Sequence, residues 1–311
     1  MSEDMRIGIL GGGPWGLSLA RAARRAGSLT TLYSRRRRDG EVAAVRVTSD
    51  LAVLAESHLI IVAVPSQLAR SVARSLGDHL TGAHLLVHGI RGLSGDELAT
   101  ISQILREETP ARRLGALGGP VQAAELNDGR PSAMVVGSDF EDVSRAVHRA
   151  MNSEWLHIHR TSDLIGLEWA SSLMGCLSIG VGYVMAREDV SPGLLAALIS
   201  GSVDEAAVIA QAAGAHPDTF YGLGGYGDLL ASMALPDRPE VVLGRELASG
   251  KTIDEAQTAA KLRIEAIDLI PRVVRFAHSR GVPCPMFSGL AAVLSGDASP
   301  EALLRGFFGS G

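Results

Sequence analysis

The chain has 311 residues and a formal net charge of −5, and 46% of its residues are hydrophobic. This length can form two domains with separate cores, and the apolar content excludes global disorder. The acidic balance gives no reason to expect nucleic acid or an anionic membrane as a partner. The opening segment, MSEDMRIGIL, lacks the basic stretch and apolar run of a secretory signal, so we expect a cytoplasmic protein.

The first half of the chain alternates short apolar runs with longer amphipathic ones. The runs predict strands at 6–10, 29–34, 58–65, 83–90, 132–138 and 154–159, with a weaker one at 114–119. Helical patterns between them cover 14–26, 66–79, 94–107 and 139–151. This alternation predicts an α/β domain over residues 1–161, with a mostly parallel sheet covered by helices on both faces.

The second half, residues 162–311, reads as an all-helical domain. Its predicted helices are 162–186, 191–213, 226–233, 239–249, 252–280 and a pair near the C-terminus. Residues 169–186 carry no charge and reach the lower length limit of a membrane-spanning helix. Their glycine and serine content, and Glu168 just before them, favour a closely packed central helix, so we expect no membrane contact.

The cysteines and most histidines predict little chemistry. Cys176 and Cys284 lie in separate apolar surroundings, which favours buried free thiols over a disulfide or a zinc site. His157 and His159 alternate on a strand without further ligands in view, so we predict no metal site. His88 is the histidine of interest, because it ends a strand at the edge where the sites of α/β proteins gather.

The segment RIGILGGGPWGLSLARAARRAG places Gly11, Gly13 and Gly16 in G-x-G-x-x-G spacing between a strand and a helix. The first glycine permits the tight turn, the second lets the backbone approach a pyrophosphate, and the third allows close packing of helix on strand. Free N–H groups at the helix start bind the phosphates, and Pro14 fits the first turn. The alternative, glycines used only for a turn, is disfavoured by the strand–turn–helix context. The pattern predicts a Rossmann-type dinucleotide-binding domain.

The end of the second strand, YSRRRRDG, indicates which dinucleotide binds. An acidic residue there selects NAD, whereas arginine accommodates the 2′-phosphate of NADP. Arg35 to Arg38 occupy this place, and Asp39 is too far along the chain to be the first choice. Guanidinium groups suit a phosphate by charge and by geometry, so we expect NADPH, with NADH as the alternative. A solvated basic turn is the plain structural interpretation.

Together GGGPWG, IIVAVPSQ, GGPVQAAE, GLGGYGDLL and LASGKTIDEA make the chain resemble NAD(P)-dependent glycerol-3-phosphate dehydrogenase over almost its whole length. The resemblance implies hydride transfer between NAD(P)H and dihydroxyacetone phosphate, giving sn-glycerol 3-phosphate, and a homodimer. It implies cofactor contacts from Gly11, Gly13, Pro14, Trp15, Gly16, Arg35, Arg36, Pro65, Ser66, Ala123 and Glu265.

The catalytic half departs from the family pattern. Arg91 stands where the family has a lysine, and Met174 replaces the lysine that transfers the proton. The family's S-R-N-R-R, which holds the substrate phosphate, aligns with Arg238–Val242, and a slip of one residue returns Arg238 to that role. Asp228 matches the family's active-site aspartate, and Ser232 replaces a threonine.

Reduction of a carbonyl needs a proton donor, which methionine cannot be, and arginine practically never releases a proton. We therefore predict Asp228 and Tyr226 as proton-transfer candidates and Arg91 as an anion-holding catalytic residue. Asp228 as a helix cap and Tyr183 as a further candidate remain open. The substrate, a small molecule with or without a phosphate, is predicted to contact Arg91, Gly119, Ser232 and Arg238.

Three functions fit these losses. The first is a dehydrogenase retuned to another carbonyl or imine. The second is a non-catalytic NADP(H)-binding sensor or scaffold, and the third is an ordinary family enzyme in which another group supplies the proton.

Overall fold

The computed structural model describes residues 5–36, 43–261 and 264–297. These form two compact units, the first reaching Ser94 and continuing over Ala99–Glu168, the second comprising Gly95–Leu98 and the chain from Trp169. The division falls inside a long helix, whereas the predicted boundary near residue 161 lies at the end of a strand.

The described residues of the first unit form one sheet of eight strands in the order β3-β2-β1-β4-β5-β6-β7-β8. All neighbouring pairs are parallel except β6 and β7, which confirms the mostly parallel sheet. Only the short β3 was not predicted, because three residues are too few to show a periodic pattern. The strands are β1 Arg6–Leu10, β2 Leu29–Tyr33, β3 Arg46–Thr48, β4 Leu59–Val62, β5 Leu85–His88, β6 Arg113–Gly118, β7 Ser132–Gly137 and β8 Leu156–Thr161.

Helices cover the sheet of the first unit. The central strands β4 and β5 are buried at every residue, which is why they read as continuous apolar runs rather than alternating ones. A 3₁₀ turn, Ser66–Leu68, precedes the third helix. The helices are α1 Pro14–Arg25, α2 Leu51–Leu54, α3 Ala69–Gly77, α4 Ile101–Glu108, α5 Ala123–Asp128 and α6 Glu141–Met151.

The predicted helix start at residue 94 is wrong, and the cap at Thr100 gives the reason. The Thr100 hydroxyl accepts the backbone N–H of Gln103, whose side chain accepts the N–H of Thr100 in return. This reciprocal capping starts α4 at Ile101. Residues Ser94 and Ala99 form an isolated antiparallel bridge instead of a helical turn.

The second unit is helical, and its described residues contain no strand. A π-helical turn, Leu223–Gly227, runs directly into the fourth of its helices. The second helix of the predicted C-terminal pair lies outside the described residues. The helices are α7 Leu164–Met185, whose first turn belongs to the first unit, α8 Pro192–Gln211, α9 Asp218–Tyr221, α10 Asp228–Met233, α11 Pro239–Ala248, α12 Ile253–Ala259, α13 Glu265–Ser279 and α14 Pro285–Leu294.

The single helix predicted over 252–280 is two helices in the structure. Thr252 and Glu255 form a capping box that starts α12. Lys261 then adopts a φ of 59°, a left-handed conformation that cannot continue a right-handed helix. Extended backbone at Ile264 precedes α13.

Among the described residues, the helices α7 and α8 are long and apolar enough to cross a membrane. Length and composition alone are weak evidence for a membrane span. The apolar window of α7 is 89% buried, as expected for a core helix, and that of α8 is 50% buried. Glycines explain how closely α7 is packed. A Cβ on Gly182 would overlap the carbonyl of Val241, and one on Gly244 would overlap that of Ile179. The backbones of α7 and α11 therefore cross with no room for side chains.

Candidate active site

The glycine loop between β1 and α1 uses its three predicted glycines differently. Gly11 has a φ of 136°, and a Cβ there would overlap the carbonyl of Ala63. A Cβ on Gly16 would overlap the carbonyl of Gly11. A Cβ on Gly13, in contrast, would meet no atom within 4 Å. The packing of the chain thus requires the first and third glycines, whereas the second faces open space.

That open space belongs to a cleft of about 380 Å³ at the C-terminal edge of the sheet, lined by the glycine loop and by the ends of β2 and β4. Leu51, Leu68 and Val72 supply apolar walls, and Ser71 and Ser75 supply hydroxyl groups. An apolar slot with a few polar groups is the usual form of a small-molecule site. Sequence reasoning missed these five residues, because none of them belongs to the glycine motif.

The cleft has features that occur in dinucleotide-binding sites. Pro14 begins α1, and the first N–H groups of a helix lack intrahelical acceptors and attract phosphate. Of the predicted cofactor residues, Gly11, Gly13, Arg35 and Pro65 line this cleft. The described residues thus place the N-cap glycine of α1, with space before it, and an arginine along one cleft.

The remaining predicted cofactor residues lie elsewhere in their units. Arg36 is exposed beside Arg35, and its backbone N–H donates to Ser34 Oγ at 3.3 Å. Arg37 and Arg38 of the arginine run, and Asp39 after them, lie outside the described residues. Ser66 opens the 3₁₀ turn after β4, and Ala123 is the first residue of α5. Glu265 is the first residue of α13 in the second unit.

Trp15 packs the loop after β5 against α1. Its indole N–H donates to the carbonyl of Gly89 at 2.9 Å, and a Cβ on Gly89 would come within 2.7 Å of that nitrogen. The indole therefore has a structural partner in this arrangement. Its role at the cofactor stays a prediction.

A buried polar cluster lies where β5 ends. His88 Nε2 is 3.0 Å from Glu168 Oε1, and both side chains are 1% exposed. Ser102 donates to the same carboxylate, from its backbone N–H at 2.8 Å and from its hydroxyl at 2.6 Å. The N–H of Ile90 donates to His88 Nδ1 at 3.3 Å, which leaves the imidazole proton on Nε2. The cluster holds the start of the loop that carries Arg91, a half-buried residue.

Gly119 follows β6 directly. It is buried, with a φ of 94° that favours glycine. Its predicted substrate contact stays a prediction.

In the second unit, three predicted residues form a buried cluster. Asp228 begins α10 after the π turn, and Ser232 lies one helical turn later. Arg238 Nη1 donates to Asp228 Oδ1 at 3.1 Å and also to Ser232 Oγ. Asp228 and Ser232 are fully buried, and Arg238 is 6% exposed. The sequence placed these residues in one site by resemblance, and the structure gives the direct contacts between them.

Two further residues complete this cluster. Ser178 Oγ lies 3.0 Å from Ser232 Oγ and donates to the backbone carbonyl of Met174 at 2.8 Å. Glu240 accepts a hydrogen bond from Arg238 Nε at 3.2 Å. Sequence reasoning missed Ser178. The available signal was a serine four residues after Met174, one helical turn along a mostly apolar helix.

Both tyrosine candidates have defined places. Tyr226 is half-buried in the π turn, two residues before Asp228. Tyr183 is 2% exposed, and its hydroxyl accepts a hydrogen bond from Arg187 Nη1 at 2.9 Å. Among the described residues, no group of three or more His, Cys, Asp and Glu side chains could hold a metal ion.

The chain matches the two family models that describe the two parts of one enzyme. Residues 41–144 match the NAD-dependent glycerol-3-phosphate dehydrogenase N-terminus, and residues 163–305 match the C-terminus of the same enzyme.

Individual relatives are similar over nearly their whole length. The chain is 31% identical to glycerol-3-phosphate dehydrogenase [NAD(P)+] 1 of Salinibacter ruber, over 96% of this chain and 94% of that protein. It is 30% identical to the enzyme of Rhodopseudomonas palustris strain TIE-1, over 96% and 95%. The crystal structure of the Coxiella burnetii enzyme, at 22% identity, superposes with a TM-score of 0.87 over 98% of this chain and 99% of that one, which supports the fold.

Proposed function

Because the chain belongs to the NAD-dependent glycerol-3-phosphate dehydrogenase family, we propose that it transfers hydride between NADPH and dihydroxyacetone phosphate. We expect this transfer to be slower than in relatives that carry the catalytic lysine. The observation that carries the proposal is the glycine loop, in which Gly11 and Gly16 are demanded by packing while Gly13 leaves space along a cleft. A loop used only for a turn would not need that space.

The residues of the chain have separate tasks in this proposal. The start of α1 and Gly13 bind the pyrophosphate, and Leu51, Leu68 and Val72 enclose the adenosine part. When bound, the reduced nicotinamide supplies the hydride. Asp228 and Tyr226 are the proposed proton-transfer groups, and Arg91 holds an anionic part of the substrate. Loss of a positioned acid or base typically lowers a rate by about 10² to 10⁴, which supports slow rather than absent turnover.

The test is product formation. Full-length protein, NADPH and dihydroxyacetone phosphate are incubated, and sn-glycerol 3-phosphate is measured against NADPH consumed. We expect one product molecule for each NADPH consumed. We expect a faster reaction from Met174→Lys, which restores the family's lysine. Two results would contradict the proposed reaction. One is NADPH consumption without sn-glycerol 3-phosphate, and the other is no product from either the wild type or Met174→Lys.

We also propose that NADPH is preferred over NADH. Arg35 lines the cleft at the end of β2 and is exposed to an incoming ligand. Hydrogen bonds to charged groups contribute about 1.5–3 kcal/mol, so Arg35→Ser should weaken NADPH binding by roughly 10- to 100-fold and change NADH binding little. Arg6→Ser is the matched control, because Arg6 is an exposed arginine at the opposite end of β1. Equal losses for both dinucleotides would contradict the preference.

A cytoplasmic homodimer completes the proposal. Its support is the resemblance to related dehydrogenases. Sedimentation equilibrium of the purified protein checks the dimer, and a monomer at micromolar concentration would contradict it.

A further inference from the structure

The cluster around Arg238 contains a buried hydrogen-bond donor that is unsatisfied among the described residues. Arg238 Nη1 is bound to Asp228 and Ser232, and Nε is bound to Glu240. Nη2 is buried and has no hydrogen-bond partner among the described residues. Buried polar groups are nearly always paired, so an unpaired guanidinium nitrogen calls for a specific explanation such as a ligand.

The direction of this donor is fixed. A guanidinium is planar and rigid, and two of its three nitrogens are already held by side chains. The arginine side chain is 4% exposed, and the Asp228 side chain that anchors it is fully buried. Nη2 is therefore a preorganised donor rather than one end of a mobile surface arginine.

The charges of the cluster indicate which kind of acceptor atom can bind to Nη2. One guanidinium is hydrogen-bonded to two carboxylates, Asp228 and Glu240, whose side chains are 0% and 18% exposed. The positive charge is thus already balanced within the cluster. A phosphate brought to Nη2 would add negative charge beside two carboxylates, whereas an uncharged carbonyl or hydroxyl oxygen would not.

The place of the cluster in the chain is also typical of a functional site. Asp228 follows the π-helical turn Leu223–Gly227, and π-helical segments occur frequently at functional sites. The hydroxyls of Ser178 and Ser232 lie on the Nη1 side of the arginine and keep it in place.

We propose that Arg238 Nη2 donates a hydrogen bond to the uncharged reacting oxygen of the substrate, the carbonyl oxygen of the ketone or the hydroxyl oxygen of the alcohol. The phosphate of the substrate is held by other residues. This inference rests on the proposed function and assigns one substrate contact within it. Arg238 keeps its proton throughout, so it holds the oxygen in place through a hydrogen bond, and the proton that completes the alcohol comes from another group.

The test separates the two kinds of ligand with two probes. Dihydroxyacetone, an uncharged ketone, is titrated by saturation-transfer NMR, and inorganic phosphate is titrated by ³¹P line broadening. Both use the full-length protein with NADPH present. Replacing Arg238 alone would leave the buried Asp228 charge uncompensated and threaten folding. The variant is therefore Asp228→Asn with Arg238→Gln, whose unfolding curve is measured first.

We expect the double variant to bind dihydroxyacetone about 10- to 100-fold more weakly, as for loss of a charge-assisted hydrogen bond, with phosphate binding unchanged. In Glu240→Gln, which keeps Arg238 and its bond to Asp228, dihydroxyacetone binding should persist. A purely structural arginine would not produce weaker dihydroxyacetone binding in the folded double variant.

Three results would overturn the inference: no dihydroxyacetone binding by the wild-type protein, equal binding by the wild-type protein and the double variant, or loss of phosphate binding in the double variant. None of these depends on turnover. Failure of the proposed function is read separately, from absent product formation with dihydroxyacetone phosphate.

Discussion

Substituting the second glycine of the cofactor loop tests whether that loop binds a dinucleotide. Gly13 precedes α1 with φ −78° and ψ 175°, angles that alanine adopts, and its Cβ would meet nothing within 4 Å. Alanine lowers the entropy of the unfolded chain, a gain of about 0.4–1 kcal/mol. It is also a poorer N-cap than glycine, a loss of similar size. The two effects nearly cancel, so we expect the free energy of unfolding to change by less than ~1 kcal/mol.

NADPH binding, unlike stability, should change markedly. The added methyl group occupies the space through which the backbone approaches the pyrophosphate, so Gly13→Ala should weaken NADPH binding at least tenfold, about 1.4 kcal/mol. Isothermal titration measures the affinity, and a thermal melt of the same sample measures stability.

The matched variant, Gly16→Ala, should lower the stability of the fold. Its Cβ would overlap the carbonyl of Gly11, and overpacking of this kind costs about 1–3 kcal/mol. The melting temperature should fall by roughly 2–12 °C. Unchanged NADPH affinity in Gly13→Ala would refute the assignment of this loop to the pyrophosphate.

Three other predictions follow from single contacts. Burial raises the pKa of the Cys284 thiol and Cys176 is fully buried, so a colorimetric disulfide reagent at pH 8 should label neither until denaturant is added; rapid labelling of the folded protein would be inconsistent with this. Burial also raises the pKa of Glu205, against two backbone N–H donors of α14. A carboxyl group whose pKa is higher in the folded state stabilises the fold at pH values below its unfolded pKa of ~4.3. That stabilisation is lost as the pH rises. The melting temperature of the wild type relative to Glu205→Gln should therefore fall as the pH rises above about 4, and a rise would contradict the raised pKa. Trp15→Phe removes the hydrogen bond to Gly89 and should cost about 1 kcal/mol of unfolding free energy, measured by urea denaturation; no loss would mean that this bond is not formed in solution.

Most of the architecture could be predicted because its signals are local and periodic. The buried strands β4 and β5 appear in the sequence as apolar runs. The glycine loop and Pro14 predict where α1 begins. The errors occurred where a single residue decides. A left-handed Lys261 divides one amphipathic pattern into α12 and α13, and periodicity contains no signal for such a break.

The candidate sites were predictable to different degrees. The positions of Gly11, Gly13 and Gly16 follow from spacing alone, because the motif is contiguous in the chain. The pairing of Arg238 with Asp228 could not be derived from their ten-residue separation, since it depends on how the chain turns between α10 and α11. Ser178 joins the same cluster from α7, and its place four residues after Met174 does not by itself predict that contact. Nonlocal side-chain contacts are set by packing, not by pattern.

The central claim is that this chain reduces a ketone with hydride from a bound nicotinamide. Deuterium tracing tests it most directly. NADPH carrying deuterium at the transferable position of the nicotinamide is incubated with the protein and dihydroxyacetone phosphate, and the product is examined by mass spectrometry. The account predicts sn-glycerol 3-phosphate with one deuterium on its central carbon, formed by the wild type and strongly reduced in Gly13→Ala. Saturable NADPH binding with no deuterated product would contradict it and would favour a protein that holds the dinucleotide without using it.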